Sequence, residues 1–279
     1  MPVRIVTDST CDLPPEVTAD LGITVVPLTV VFGDDEFVEG VEIDAPAFYE
    51  RMRAFAGLPR TSQPPVERFL EGYGAAGAEG DEIVSIHISS RMSGTLNAAA
   101  VAREQLAADL HIDLIDSYSV SLGLGAIVVD AARAARDGAS LTEVAEVARR
   151  AVATAHVVAM VDTLEYLRRG GRIGRATSLL GSLLSIKPIL HIDGGEMAPF
   201  ERVRTKARAL DRLYEIATRD ATIRRLIVAA AGDDEAAAAL FERVKPALPH
   251  TELVLGQIGP IVGVHAGPGL VGICTVARS

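Results

Sequence analysis

Three short stretches bring small hydroxyls together with glycine, proline and acidic turn residues. They are Asp8-Ser9-Thr10-Cys11-Asp12-Leu13-Pro14, Arg60-Thr61-Ser62-Gln63-Pro64-Pro65 and Ser89-Ser90-Arg91-Met92-Ser93-Gly94-Thr95. Hydroxyl donors beside the first amides of a helix favour a small anion, because unpaired N–H groups and the helix dipole both attract negative charge. Each hydroxyl also has a plainer reading. Ser62, Ser93 and Asp12 are good capping residues, and for any one alone the cap is the simpler account. Their recurrence in comparable positions, at the starts of predicted helices, favours a shared anion pocket.

Nucleotide phosphates are a poor match for that pocket. No GxxxxGK[ST] run occurs, and no GxGxxG with a downstream acid follows the first predicted strand. Arg169-Gly170-Gly171-Arg172-Ile173-Gly174-Arg175 is glycine-rich and basic but has no strand before it at the required spacing. The group Arg168, Arg169, Arg172 and Arg175 reads either as a solvated helix end or as an electrostatic docking patch on an otherwise acidic chain. His87, His111, His156, His191 and His250 show no ligand-like grouping, so no metal is expected. Cys11 has no assignable base and reads as a packed thiol.

The elements that must position these residues follow from hydrophobic patterning. Apolar residues make up 49% of the 279, with no Trp and 4% aromatics, so the core is built from Ala, Val, Leu and Ile. A formal charge of −10 and few aromatic platforms argue against nucleic acid. Two distant cysteines, Cys11 and Cys274, form no disulfide framework. The opening residues lack the pattern of a signal peptide, and the apolar run 176–192 is interrupted by Ser, Gly, Lys and Pro. A soluble cytoplasmic protein is the expectation.

β-branched runs alternating with Ala-rich helical segments predict a wound parallel sheet. Strands are expected at 3–7, 82–88 and 112–115, with a less regular extended region over 23–32. Helices are expected at 15–21, 45–55, 65–76, 94–108, 122–135 and 141–154. Beyond residue 155 the rhythm changes to a strand at 157–161, a helix, the Gly/Arg turn, an apolar helix and a hairpin around Asp193-Gly194-Gly195. Further strands at 226–231, 252–257 and 270–277 alternate with helices at 206–219 and 234–245. The fold class is therefore α/β: a Rossmann-like domain over 1–155, then an α+β domain over 156–279 with a mixed or antiparallel sheet.

Five separated segments, in order along the chain, resemble the DegV family. They are 5–14 (IVTDSTCDLP), Thr61-Ser62-Gln63-Pro64, Ser93-Gly94-Thr95, Tyr166-Leu167-Arg168-Arg169-Gly170-Gly171-Arg172-Ile173 and Gly263-Val264-His265-Ala266-Gly267-Pro268-Gly269. The resemblance implies a two-domain protein that binds a long-chain fatty acid, palmitate- or oleate-like, and acts as the FakB-like subunit of bacterial fatty acid kinase. A separate ATP-binding, FakA-like subunit would phosphorylate the carboxylate for phospholipid synthesis, so this chain would be a carrier and not itself an enzyme. Carried over by motif, Thr61, Ser62, Ser93, Gly94, Thr95 and His265 would bind the carboxylate, and Asp8 and Ser9 would be further pocket contacts. Arg172, with Arg168, Arg169 and Arg175, would belong to the kinase-facing surface.

Elementary energetics are compatible with that role. Burying about fifteen methylenes at roughly 0.8 kcal/mol each offers on the order of 12 kcal/mol before association costs. A buried carboxylate needs several hydrogen bonds, which the hydroxyl loops supply. The run 179–184 reads as core, and less readily as a lid over the acyl chain. Two competing readings remain at this stage. One is an acyl ester hydrolase with Ser93 as nucleophile and His265 as base, which lacks a GxSxG elbow and an orienting acid. The other is a small-anion module using the same helix N-termini.

Overall fold

The computed structural model describes residues 2–77, 81–106, 110–180, 186–220 and 222–278. The first half alternates as the β-branched runs predict. It comprises β1 (Val3–Asp8), α1 (Pro15–Asp20), β2 (Ile23–Val26), β3 (Thr29–Phe32), β4 (Asp35–Val38), α2 (Ala45–Ala54) and β5 (Arg60–Ser62). It continues through α3 (Val66–Ala76), β6 (Glu82–His87), α4 (Thr95–Gln105), β7 (His111–Asp116), α5 (Leu122–Arg136) and α6 (Leu141–Thr154). Strands β2-β1-β6-β7 form a parallel four-stranded sheet. Its two central strands are covered on both faces, which explains their nearly continuous apolar reading.

The second half contributes β8 (Ala155–Met160), α7 (Glu165–Arg169), β9 (Lys187–Asp193), β10 (Glu196–Val203) and α8 (Lys206–Thr218). Then come β11 (Arg225–Ala230), α9 (Asp234–Val244), β12 (Glu252–Gln257), α10 (Pro260–Ala266) and β13 (Val271–Val276). These strands make a mixed six-stranded sheet in the order β10-β9-β8-β13-β11-β12, in which only β11 and β12 pair in parallel. Alternation separates its two faces. Val158 and Met160 join Val271 and Ile273 under α8 and α9, while Val157 and Ala159 join Cys274 and Val276 on the other side.

Three features depart from the sequence reading. The extended region 23–32 is two strands in different sheets, because β3 leaves β2 to pair antiparallel with β4 and β5 in a separate three-stranded sheet. The segment carrying Thr61 and Ser62 is thus a strand and not a loop. The apolar helix expected after the Gly/Arg turn begins as a 3₁₀ turn, Gly174–Leu179, that ends at Leu180, and the remainder of that expected helix, 181–185, lies outside the described residues. Third, the glycine-flanked tail around His265 is helix α10, opened by Pro260 at its first position, where the missing N–H costs nothing.

Helix α5 ties the two larger sheets together. Arg225 on β11 is 2% exposed and reaches Asp130 of α5 at 3.0 Å and Glu252 of β12 at 2.8 Å, while Arg224 grips the same Asp130. Among the described residues, no helix is long and apolar enough to cross a membrane.

Candidate functional site: an apolar cavity with a polar wall

Between the two larger sheets lies a cavity of about 360 Å³, within the usual range for small-molecule sites of roughly 300–1,000 Å³. Its floor is the inner face of the six-stranded sheet, with Val157, Ala159, Leu190 and Gly272. Its roof is formed by Ile88, Val120 and Leu122, just past the carboxyl ends of β6 and β7, where ligands of wound sheets sit. Helix α10 closes one side with Ile261, Val262, His265 and Ala266.

Polar groups gather along one wall. Thr61 Oγ1 on β5 lies 2.8 Å from His265 Nε2 in the last turn of α10. Behind the imidazole stands Gly170, where a Cβ would come within 2.3 Å of His265 Nδ1. Arg172 bends back to donate from NH1 to the Gly170 carbonyl at 2.7 Å and from Nε to the Met92 carbonyl at 3.1 Å. Ser93 follows, its Oγ 2.8 Å from Thr95 Oγ1, and the Gln63 side chain lies against Gly94. Thr61, Ser62, Gln63, Ser93, Arg172 and His265 all line the cavity.

His265 Nδ1 is buried without a partner, and burial, reinforced by the Arg172 charge, lowers the histidine to about 4. At neutral pH the ring is therefore uncharged, with one nitrogen engaged by Thr61 and the other facing Gly170. An acceptor carboxylate placed here would meet hydroxyl donors and the Arg172 guanidinium.

Not every residue singled out in the sequence reaches the cavity. Asp8 is fully buried behind the wall, accepting from the Ile88 amide at 2.9 Å and facing His87 Nδ1 at 3.0 Å. Ser9 Oγ accepts from the Leu28 amide at 3.0 Å. Both brace the chain around the 3₁₀ turn Ser9–Cys11, and neither is among the residues that line the cavity. Gly94 and Thr95 stand behind Gln63 and Ser93 and do not line it either. The capping reading fails for Ser62, since the cap position of α3 is Pro65, whereas Ser93 Oγ accepts from the Thr95 amide at 3.3 Å, beside the Gly94 cap position of α4. Arg168 and Arg169 share Glu165, which they pull down to about 2, and Arg175 holds Asp193 at 2.6 Å.

The hydrolase arrangement is not formed. Ser93 Oγ pairs with Thr95 and His265 Nε2 with Thr61, so no Ser93–His265 relay exists. A chain of triad type does run from Asp8 to His87 to Ser85, continuing to Tyr73, but all four residues are wholly buried, out of reach of a substrate. Cys11 is likewise buried, and burial pushes its thiol well above the ordinary value.

A second polar group was visible in the sequence only through Asp12. Ser121, at the mouth of α5, lines the cavity with φ 56° and ψ −127°, a conformation uncommon for a side-chain-bearing residue, and donates to Asp12. A methyl group at Gly259 would lie 2.5 Å from Asp12 Oδ1 and 2.8 Å from Glu39 Oε1, so the two carboxyls converge on one point. Each has a buried oxygen without a partner, Asp12 Oδ1 and Glu39 Oε2. Burial raises Asp12 to about 7 and, with the Asp12 charge added, Glu39 to about 8. Residues 27 positions apart carry no motif that would pair them.

Comparison with known proteins gives a consistent picture. The model of the family described as "Uncharacterised protein, DegV family" matches residues 2–278. The chain is 37% identical over 283 residues to protein DegV of Bacillus subtilis, covering 98% of this chain and 99% of that protein. Two solved structures superpose with a TM-score of 0.91 over the whole of both chains. One is a DegV family protein from Thermus thermophilus described for its fatty acid binding, at 33% identity; the other is DegV of Bacillus subtilis, described as a fatty acid binding protein, at 35%. With its fold shared and its length matched almost end to end, the chain belongs to the DegV family.

Proposed function

We propose that this protein is a fatty acid carrier that holds a long-chain acid in the intersheet cavity and presents its carboxylate to an ATP-binding kinase subunit, in the cytoplasm, for acyl phosphate formation. The observation that carries this reading is the cavity itself: apolar over its floor and roof, with hydroxyls, an imidazole and a guanidinium along one wall. The relatives described as fatty acid binding proteins support the ligand class. In this reading Thr61, Ser62, Ser93 and His265 receive the carboxylate, and Gly94 and Thr95 support Ser93 from behind.

The division of labour follows from the chemistry. The chain supplies most of the affinity through burial, at roughly 0.8 kcal/mol per methylene, and the head group fixes orientation. Arg172 lines the cavity, while its neighbours Arg168, Arg169 and Arg175 are solvent-facing and satisfied by Glu165 and Asp193. That arrangement suits a surface where a partner's acidic or phosphate groups meet the carboxyl end of the ligand.

The test is lipid extraction from protein purified out of a bacterial host, read by mass spectrometry, beside a Thr61→Ala, Ser93→Ala double variant. A near-stoichiometric fatty acid, reduced in the variant, is expected. Protein that carries none and takes up neither palmitate nor oleate would overturn the reading. For the kinase step, ATP-dependent acyl phosphate formation with an added kinase subunit should require this protein and fall with Arg172→Ala.

A further inference from the structure

Position 272 is a glycine that its own sheet does not require. It lies in the interior of β13, opposite Ala159 of β8 and Ala229 of β11, and its φ is not in the left-handed region. A Cβ built there would find Ala159 Cβ at 3.4 Å, Leu270 Cδ2 at 3.6 Å and the Val158 carbonyl at 3.7 Å, all ordinary contacts. Glycine inside a strand costs stability relative to alanine and commonly marks a close approach by another group.

The group approaching here is whatever fills the cavity. Gly272 and its cross-strand partner Ala159 both line it, and Ala159 is half-buried although β8 is covered on both faces. Their same-face neighbours along the strands, Val157 and Val161 beside Ala159, Leu270 and Cys274 beside Gly272, are all larger. The cavity floor is therefore notched over two adjacent strands at this one row.

Resting on the fatty-acid reading above, we infer that the acyl chain crosses the six-stranded sheet over the Ala159–Gly272 pair, and that the missing side chain at 272 sets the length of chain the carrier accepts. Side-chain volume added there takes the place of methylenes. Each methylene that no longer fits costs roughly fourfold in affinity.

The test uses full-length Gly272→Ala and Gly272→Val as a graded pair, with Gly256→Ala as control. Gly256 on β12 has comparable clearance, with Ala229 Cβ at 3.6 Å, but does not line the cavity. Affinities for the saturated C12, C14, C16 and C18 acids are measured for each protein, and thermal melting confirms folding. The expected result is a stepwise shift of the preferred chain to shorter acids, with C18 binding down at least tenfold in Gly272→Val while C12 is retained, and a wild-type profile for Gly256→Ala. Should Gly272→Val not fold, Ala159→Val fills the same notch from the neighbouring strand and is expected to give the same shift. A folded Gly272→Val or Ala159→Val with the wild-type chain-length profile would overturn the inference alone. Wild-type protein that binds none of the four acids would overturn the carrier reading and, with it, this placement.

Discussion

Thr61 Oγ1 and His265 Nε2, separated by 204 positions in the chain, meet at 2.8 Å where β5 of the three-stranded sheet touches the last turn of α10. The contact fixes the imidazole on the polar wall of the cavity and leaves its other nitrogen buried without a partner. Removing either member should weaken head-group binding. Hydrogen bonds to a charged group contribute about 1.5–3 kcal/mol, so Thr61→Val and His265→Ala should each lower fatty acid affinity on the order of tenfold to a hundredfold. Displacement of a fluorescent fatty acid measures this, and an unchanged affinity in both variants would remove the pair from the site.

The same histidine should stay neutral well below its ordinary range. Burial holds it near 4, with Arg172 adding to the effect. The unfolded chain, with histidine near 6.5, then binds more protons than the folded one between those values, so His265 lowers stability as pH falls from about 6.5 towards 4. The NMR titration of the His265 ring should show a midpoint near 4, and His265→Gln should flatten that limb of the stability profile.

Gly170 controls the histidine from behind. Its φ of −73° suits any residue, so Gly170→Ala imposes no backbone strain. The added methyl would nevertheless lie 2.3 Å from His265 Nδ1 and 3.1 Å from the Tyr166 carbonyl. The ring must move, and its bond to Thr61 should break. A folded Gly170→Ala protein with a loss of affinity comparable to that of His265→Ala is the expected outcome, and wild-type binding would count against a fixed imidazole.

How much of this was legible in the sequence depended on range. Strands β1 and β6 announced themselves because β-branched runs in strands covered on both faces carry a nearly continuous apolar signal, and the edge strand β7 through its short Ile112, Leu114 and Ile115 run. Strand β5 did not, since Arg60, Thr61 and Ser62 are too few to show alternation and two prolines follow them. Helix α10 was hidden by Gly259, Pro260, Gly263 and Gly267, which read as turn residues. Gly263 is a glycine because a side chain would strike Tyr49 and Phe48, a tertiary reason that no local pattern reveals. The hydroxyl loops were legible from their places at helix starts and His265 through motif resemblance, whereas Ser121, Asp12 and Glu39 meet only through the fold.

The Asp130 network predicts the largest stability loss. Asp130 is 7% exposed on its side chain and accepts from both Arg224 and Arg225, the latter 2% exposed. Removing one partner of a buried pair strands the other charge, at about 3–5 kcal/mol. Asp130→Ala should fall in that range by chemical denaturation. Asp20→Ala, which breaks an exposed pair with Arg136, should cost under about 1 kcal/mol.

The convergence of Asp12 and Glu39 on Gly259 fixes the direction of the pH dependence at the opposite end of the range. Both carboxyls are held above their ordinary values by burial, to about 7 and about 8. The folded protein therefore binds more protons than the unfolded chain from about pH 4 upward. Stability should fall as pH rises through that window and level off once both groups are ionised above about 8. Other carboxylates, lowered by arginines as at Glu165 and Glu252, push the opposite way at acid pH, so the pair is isolated by difference. Asp12→Asn and Glu39→Gln supply an N–H donor where the native pair needs a proton, and each should reduce the loss of melting temperature between pH 5 and pH 9 relative to wild type. Profiles parallel to wild type in both variants would show that the pair titrates in its ordinary range, and that its two orphaned oxygens are satisfied by some group other than a shared proton.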